Sequence, residues 1–130
     1  MTRPPIVEID KNHAQLLLTA VELNSIVRVL RFTLDHLEFE YSTRTGFYEH
    51  ETLELITRLT ESLQTKSDSI SITLNNKDIY NLRQNIGEVL GGITIKDYES
   101  AFGMPEEGLN EFYTVINGFG ENKDIWRLDD

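Results

Sequence analysis

The sequence predicts a mainly helical α+β domain built from two tandem strand-helix-loop-helix units packed as one domain with a small sheet. Three observations predict it. Ile6-Val7-Glu8-Ile9-Asp10 and Ile70-Ser71-Ile72-Thr73-Leu74-Asn75 both alternate in polarity, as half-buried strands do. Each is followed by apolar residues at helical spacing, Ala14, Leu17, Val21 and Asn24 in one case and Ile79, Leu82, Ile86 and Val89 in the other, a constant shift of 65 residues. Each half then repeats an aromatic residue, a glycine and a second periodic helix: Gly46 answers Gly103, and Leu53, Ile56 and Leu59 answer Leu109, Phe112 and Val115 after a one-residue gap.

The expected boundaries are a single domain over 1–130, an internal repeat of about 5–64 and 69–117, and a tail over 118–130. The first helix is expected to be the longest, roughly Lys11 to His36, with apolar residues on more than one face and therefore several neighbours. Asp10 and Asn75 stand where a side-chain oxygen caps the first free amides of the following helix. Gly91-Gly92 supplies a positive φ to end the second long helix, and Pro105 with Glu106 and Glu107 suits the first turn of the last one. Asn117 to Lys123 reads as a loop and Asp124 to Leu128 as a short terminal strand. Two such strands are marginal alone, so they are expected to pair with each other and pack on the helices.

Charge separates the function classes. Twelve Lys and Arg against 22 Asp and Glu leave a net charge of −10. The excess is concentrated: residues 97–130 hold nine acids and two bases, and Asp35 to Glu54 holds six acids against Arg44. Direct nucleic-acid binding needs Lys and Arg on one face and is disfavoured, whereas a basic protein partner is favoured by charge complementarity. The same acids also serve solubility alone. With no cysteine, disulfides and thiolate chemistry are excluded, a reducing compartment fits, and the expected location is the cytoplasm. No apolar run suggests a signal peptide or a membrane span, so no membrane partner is expected.

No catalytic, cofactor or metal signature emerges. His13, His36 and His50 are far apart, without a His-Glu-x-x-His pattern. There is no Gly-x-Ser-x-Gly elbow and no phosphate-loop glycine pattern, and the last helix of an apparent helix-turn-helix at Asp97 to Phe112 carries Glu where a DNA reader carries Arg. The expectation is a non-enzyme with no cofactor. His36 or His50 beside carboxylates keeps an enzymatic alternative open. Tyr41, Phe47, Tyr48 and Trp126 read as binding anchors or as core, with Trp126 closing the core beside Ile125 and Leu128 in the favoured reading.

Val21-Glu-Leu-Asn24 with Glu38-Phe-Glu-Tyr-Ser-Thr-Arg-Thr-Gly-Phe47, and in the second half Glu88-Val-Leu-Gly-Gly-Ile93 with Asp97-Tyr-Glu-Ser-Ala-Phe-Gly103, resemble small acidic bacterial immunity proteins of contact-dependent and polymorphic toxin systems. The second half lacks the Thr-Arg before its glycine. The resemblance implies an antitoxin-like protein that binds and neutralises a cognate toxin domain, such as a basic nuclease. The partner-binding residues expected from charge clustering are Glu38, Glu40, Glu49, Glu51, Glu54, Glu99, Glu106, Glu107, Asp124 and Trp126. The alternative is a non-catalytic adaptor or dimeric scaffold, in which the internal repeat supports homo-oligomers.

Overall fold

The computed structural model describes residues 6–10, 12–64 and 68–119. In order, β1 (Ile6–Asp10) and β2 (His13–Leu18) lead into α1 (Ala20–Leu37), a 3-10 turn (Glu38–Glu40), α2 (Tyr41–Thr45) and α3 (Glu49–Ser62). Then β3 (Ile70–Asn75) leads into α4 (Asn76–Gly91), α5 (Tyr98–Phe102) and α6 (Glu106–Phe119). The architecture is α+β, mainly helical, with one antiparallel sheet of order β1-β2-β3.

The expected helix from Lys11 to His36 is corrected: its first third is strand β2. Ala14, Leu16 and Leu18 are buried while Gln15 and Leu17 are only half-buried, a period of two. Ala14 and Leu17 therefore belong to a strand, Val21 is 68% exposed, and the shift of 65 residues does not describe the structure. A run of leucines fits both periods, and pairing decides between them: β2 binds β1 on one side and β3 on the other. The switch to helix comes at Thr19, whose hydroxyl accepts from the Glu22 amide at 3.1 Å while the Glu22 carboxylate accepts from the Thr19 amide at 2.9 Å. Thr19 thus performs the capping expected of Asp10, which instead pairs with His13 across the β1-β2 hairpin.

Asn75 caps α4 as expected, with Asp78 completing the reciprocal pair. Gly92 ends α4 in the right-handed region, contrary to expectation, because the chain turns there without reversing; the left-handed residues are Gly46 (φ 86) and Gly103 (φ 82), which end α2 and α5. The last helix continues to Phe119, through the start of the expected loop, and the expected strand at Asp124 to Leu128 lies outside the described residues.

The core lies between the sheet and the helices. The sheet contributes Ala14, Leu16, Leu18, Ile70, Ile72 and Leu74. Helix α1 is central: it packs on α3, α4 and α5 and buries Leu23, Ile26, Val27, Val29, Leu30 and Thr33. Leu53, expected in the core stripe of α3, is 47% exposed; the buried stripe is Thr52, Leu55, Ile56 and Leu59. Tyr41 and Phe47 are core, forming a satellite cluster with Leu37, whereas Tyr48 is 66% exposed. Among the described residues, no helix is long and apolar enough to cross a membrane.

Leu16 is fully buried at the middle of the central strand, opposite Ile72. Leu16→Ala is expected to cost about 2–5 kcal/mol of unfolding free energy. Val21→Ala, in the first turn of the helix but exposed, should stay within roughly 0.5 kcal/mol. Urea denaturation of the two variants makes the comparison.

Candidate functional site: an acidic groove with exposed apolar side chains

Four polar side chains set the frame for the first half of the molecule. Tyr41 donates its hydroxyl to Asn85 Oδ1 at 2.7 Å, so the 2.6 Å contact between Tyr41 Oη and Thr52 Oγ1 has the threonine as donor. Asn81 Nδ2 donates to Thr52 Oγ1 at 3.1 Å, and Asn85 Nδ2 donates to Asn81 Oδ1 at 2.6 Å. The chain of donors closes into a ring of Thr52, Tyr41, Asn85 and Asn81, all of them buried. Thr33 Oγ1 adds a donor to Asn85 Oδ1 at 2.6 Å, which ties in α1. Burial pushes the Tyr41 phenol pKa up, against the lowering effect of its hydrogen bonds to Thr52, Asn85 and Thr45 and with a small further push from Glu49, so it stays the neutral donor that the ring needs.

This ring fixes two flanking side chains at the surface. Phe39 lies two residues before Tyr41 in the 3-10 turn and is 87% exposed; Leu53 follows Thr52 on α3. Both line an open groove whose other walls are Arg31, Leu34 and Asp35 from the last turns of α1, Glu38 from the turn, and Glu49 from the first turn of α3. Spacing explains the lining: Arg31, Leu34 and Asp35 share one helix face at i, i+3 and i+4, as do Glu49 and Leu53 at i and i+4. The lining thus combines three carboxylates and one guanidinium with three apolar side chains.

Glu38 has φ 51 and ψ −126, the single non-glycine residue with positive φ among the described residues. It ends α1 abruptly and turns Phe39 out to solvent instead of into the core. Such a conformation costs about 1–3 kcal/mol in a residue with a Cβ.

The charge-selected residues divide. Glu38 and Glu49 line the groove. Glu40 lies 3.6 Å from Arg44, which also pairs with Glu88 of α4 at 2.7 Å; the arginine absent from the second half therefore clips α2 to α4. Glu51 is engaged structurally, accepting from the Tyr48 amide at 2.8 Å and meeting Lys77 Nζ at 2.6 Å. Its partial burial alone raises its pKa, but the Lys77 and Tyr48 hydrogen bonds and the charges of Lys77 and His50 outweigh that and hold it below the usual carboxylate range. Glu54 is exposed on α3, while Glu99, Glu106 and Glu107 are exposed on the first turns of α5 and α6, away from the groove lining. Asp124 and Trp126 lie outside the described residues.

His36 stacks on Phe32 and His50 on Tyr48, each exposed and on a different helix. Among the described residues no group of three His, Asp or Glu converges in a way that would hold a metal. Charge clustering missed Phe39, Leu34 and Leu53. The available signal was an aromatic residue flanked by acids in Glu38-Phe39-Glu40, and a leucine beside, not within, the 52/55/56/59 stripe. Compared with protein-family models, with curated proteins and with solved structures, the chain matches none.

Asn85→Ala opens the ring and takes a buried partner from Tyr41 and Asn81, while Thr33 keeps its bond to the Leu30 carbonyl at 2.9 Å; a loss of about 1–3 kcal/mol per unsatisfied group is expected, read by urea denaturation. Glu38→Gly relieves the positive φ and should stabilise the fold by on the order of 1 kcal/mol, seen as a higher thermal midpoint.

Proposed function

We propose that the chain is a non-catalytic, antitoxin-like immunity protein of the cytoplasm that binds and neutralises a basic toxin domain, such as a nuclease. The observation that carries this is the pairing of exposed Phe39 and Leu53 with Asp35, Glu38 and Glu49 in one groove, on a chain of net charge −10. Exposed aromatic side chains supply binding energy once desolvated, and surrounding charge selects the partner and speeds encounter. A nuclease must gather cationic side chains to hold phosphates, so its surface is complementary to this one. The resemblance of 38–47 and 97–103 to immunity proteins points the same way.

The same proposal includes the tandem construction, at a corrected offset. Ala14, Leu16 and Leu18 correspond to Ile70, Ile72 and Leu74, the caps Thr19 and Glu22 to Asn75 and Asp78, and the buried Leu23, Ile26 and Leu30 to Ile79, Leu82 and Ile86. That offset is 56 residues; from α2 onward it is 57, so that Tyr41, Gly46 and Glu49 correspond to Tyr98, Gly103 and Glu106. The register supports the correspondence: Leu16 pairs with its own counterpart Ile72, while Ala14 pairs with Leu74 and Leu18 with Ile70, as a local twofold axis through the Leu16-Ile72 pair requires. Packing follows, since α1 meets α5 as α4 meets α2. In this reading β1 is an addition outside the repeat, paired on the far side of β2 from β3.

The test is a binding titration of the full chain with the C-terminal domain of the protein encoded directly upstream. Complex formation is expected, with an affinity that falls as salt rises from about 50 to 500 mM, chiefly through the association rate. Failure to bind, or binding indifferent to salt, overturns the proposal.

A further inference from the structure

We infer that the docking site is the groove of the first unit alone, and that its occupant is a cationic segment presenting a large apolar side chain flanked by Lys or Arg. This rests on the tandem construction proposed above, which provides an internal control. The 57-residue offset from α2 onward sets Tyr48 against Pro105 and Leu53 against Asn110, and carried two residues back from the Tyr41-Tyr98 pair it sets Phe39 against Lys96. All six positions are solvent-exposed. The second unit builds the same succession of short helix, left-handed glycine and acidic-start helix with Lys96 and Asn110 where the first has Phe39 and Leu53, and keeps an apolar ring, Pro105, only at the place of Tyr48. Exposed Phe39 and Leu53 are therefore not required by this local fold, and exposing them has a solvation cost with no structural return.

The acids do not diverge in the same way. Glu49 has a counterpart in Glu106, so acidity at the helix start is common to both units and consistent with the helix dipole alone. What distinguishes the first unit is apolar surface in the same groove as acids, Leu34, Phe39 and Leu53 sharing its lining with Asp35, Glu38 and Glu49. A purely cationic ligand would leave Phe39 and Leu53 in water, and a purely apolar one would strip solvent from three carboxylates without pairing them. A segment carrying both satisfies the groove: its apolar side chain covers Phe39, Leu34 and Leu53, and its flanking cations reach the rim.

The experiment titrates the isotope-labelled full chain with a synthetic 15-residue peptide of leucine and lysine arranged as an amphipathic helix, following amide shifts. Saturable changes are expected at 31–39 and 49–53, and Phe39→Lys and Leu53→Asn, which install the second unit's residues, should each weaken binding by about tenfold or more. Glu106→Lys combined with Glu107→Lys should change it by less than about threefold, since exposed rim charges far from the apolar centre contribute little. Thermal melts verify folding, which substitution at exposed positions leaves nearly unchanged. Shifts scattered over every acidic surface, an absence of saturation, or affinity indifferent to Phe39→Lys and Leu53→Asn overturn the inference. Running the same variants against the upstream-encoded domain separates the two proposals: salt-sensitive binding that ignores the groove variants defeats the groove and leaves the proposed function standing, whereas absence of binding to that domain defeats the function.

Discussion

The closed ring of Thr52, Tyr41, Asn85 and Asn81 is the constraint on which the surface of this protein depends. Four polar side chains inside an apolar core are tolerable only when every one finds a partner, because a single open position leaves a desolvated group with nothing to bind. The ring meets that condition with bonds of 2.6 to 3.1 Å and draws α2 and α3 onto α4 at one spacing. An apolar interface would permit α3 to slide; a directional ring does not. Phe39 and Leu53 inherit their positions from it, since each sits within two residues of a ring member.

The two halves are held together differently. On the first side α2 and α3 are hydrogen-bonded to α4, and Arg44-Glu88, Lys77-Glu51 and the paired contacts of Arg58 to Asp78 at 2.7 and 2.9 Å close the rim. On the side of α5 and α6 the buried side chains are apolar, Phe102, Leu109, Phe112 and Ile116 among them, and Phe102 packs edge-on against Phe32. The side of α2 and α3 is set by polar partners and the side of α5 and α6 by apolar burial. The groove lies beside the helices fixed by directional bonds.

Strain and exposure coincide at the groove. Glu38 holds a backbone conformation that glycine would adopt at less cost, and the residue after it presents a phenyl ring to water. Both features work against stability, and neither is needed to end a helix, since α4 ends at Gly92 without left-handed backbone. Their coincidence with three carboxylates is what a binding surface for a cationic, partly apolar partner requires: fixed charge for encounter, and a preorganised apolar contact for residence.

The sequence by itself determined the fold class, the strand at Ile70–Asn75, the Asn75 cap, the breaks at Gly46 and Gly103 and the acid surplus, because each is a local property of a few adjacent residues. The 13–18 segment was not legible, since its leucines satisfy a helical stripe and an alternating strand equally; only pairing with β1 and β3 selects the strand. Tyr41 and Tyr48 look alike in the chain, yet one closes a buried ring and the other faces solvent, because the partners Asn85 and Thr52 come from elsewhere in the sequence. Likewise Glu51 and Glu49 are both acids of one helix start, and the Tyr48 amide together with the tertiary contact of Lys77 engages the first while the second lines the groove. Composition supplied the charge; packing decided which of it surrounds exposed apolar surface, since that depends on which side chains the core cannot take in.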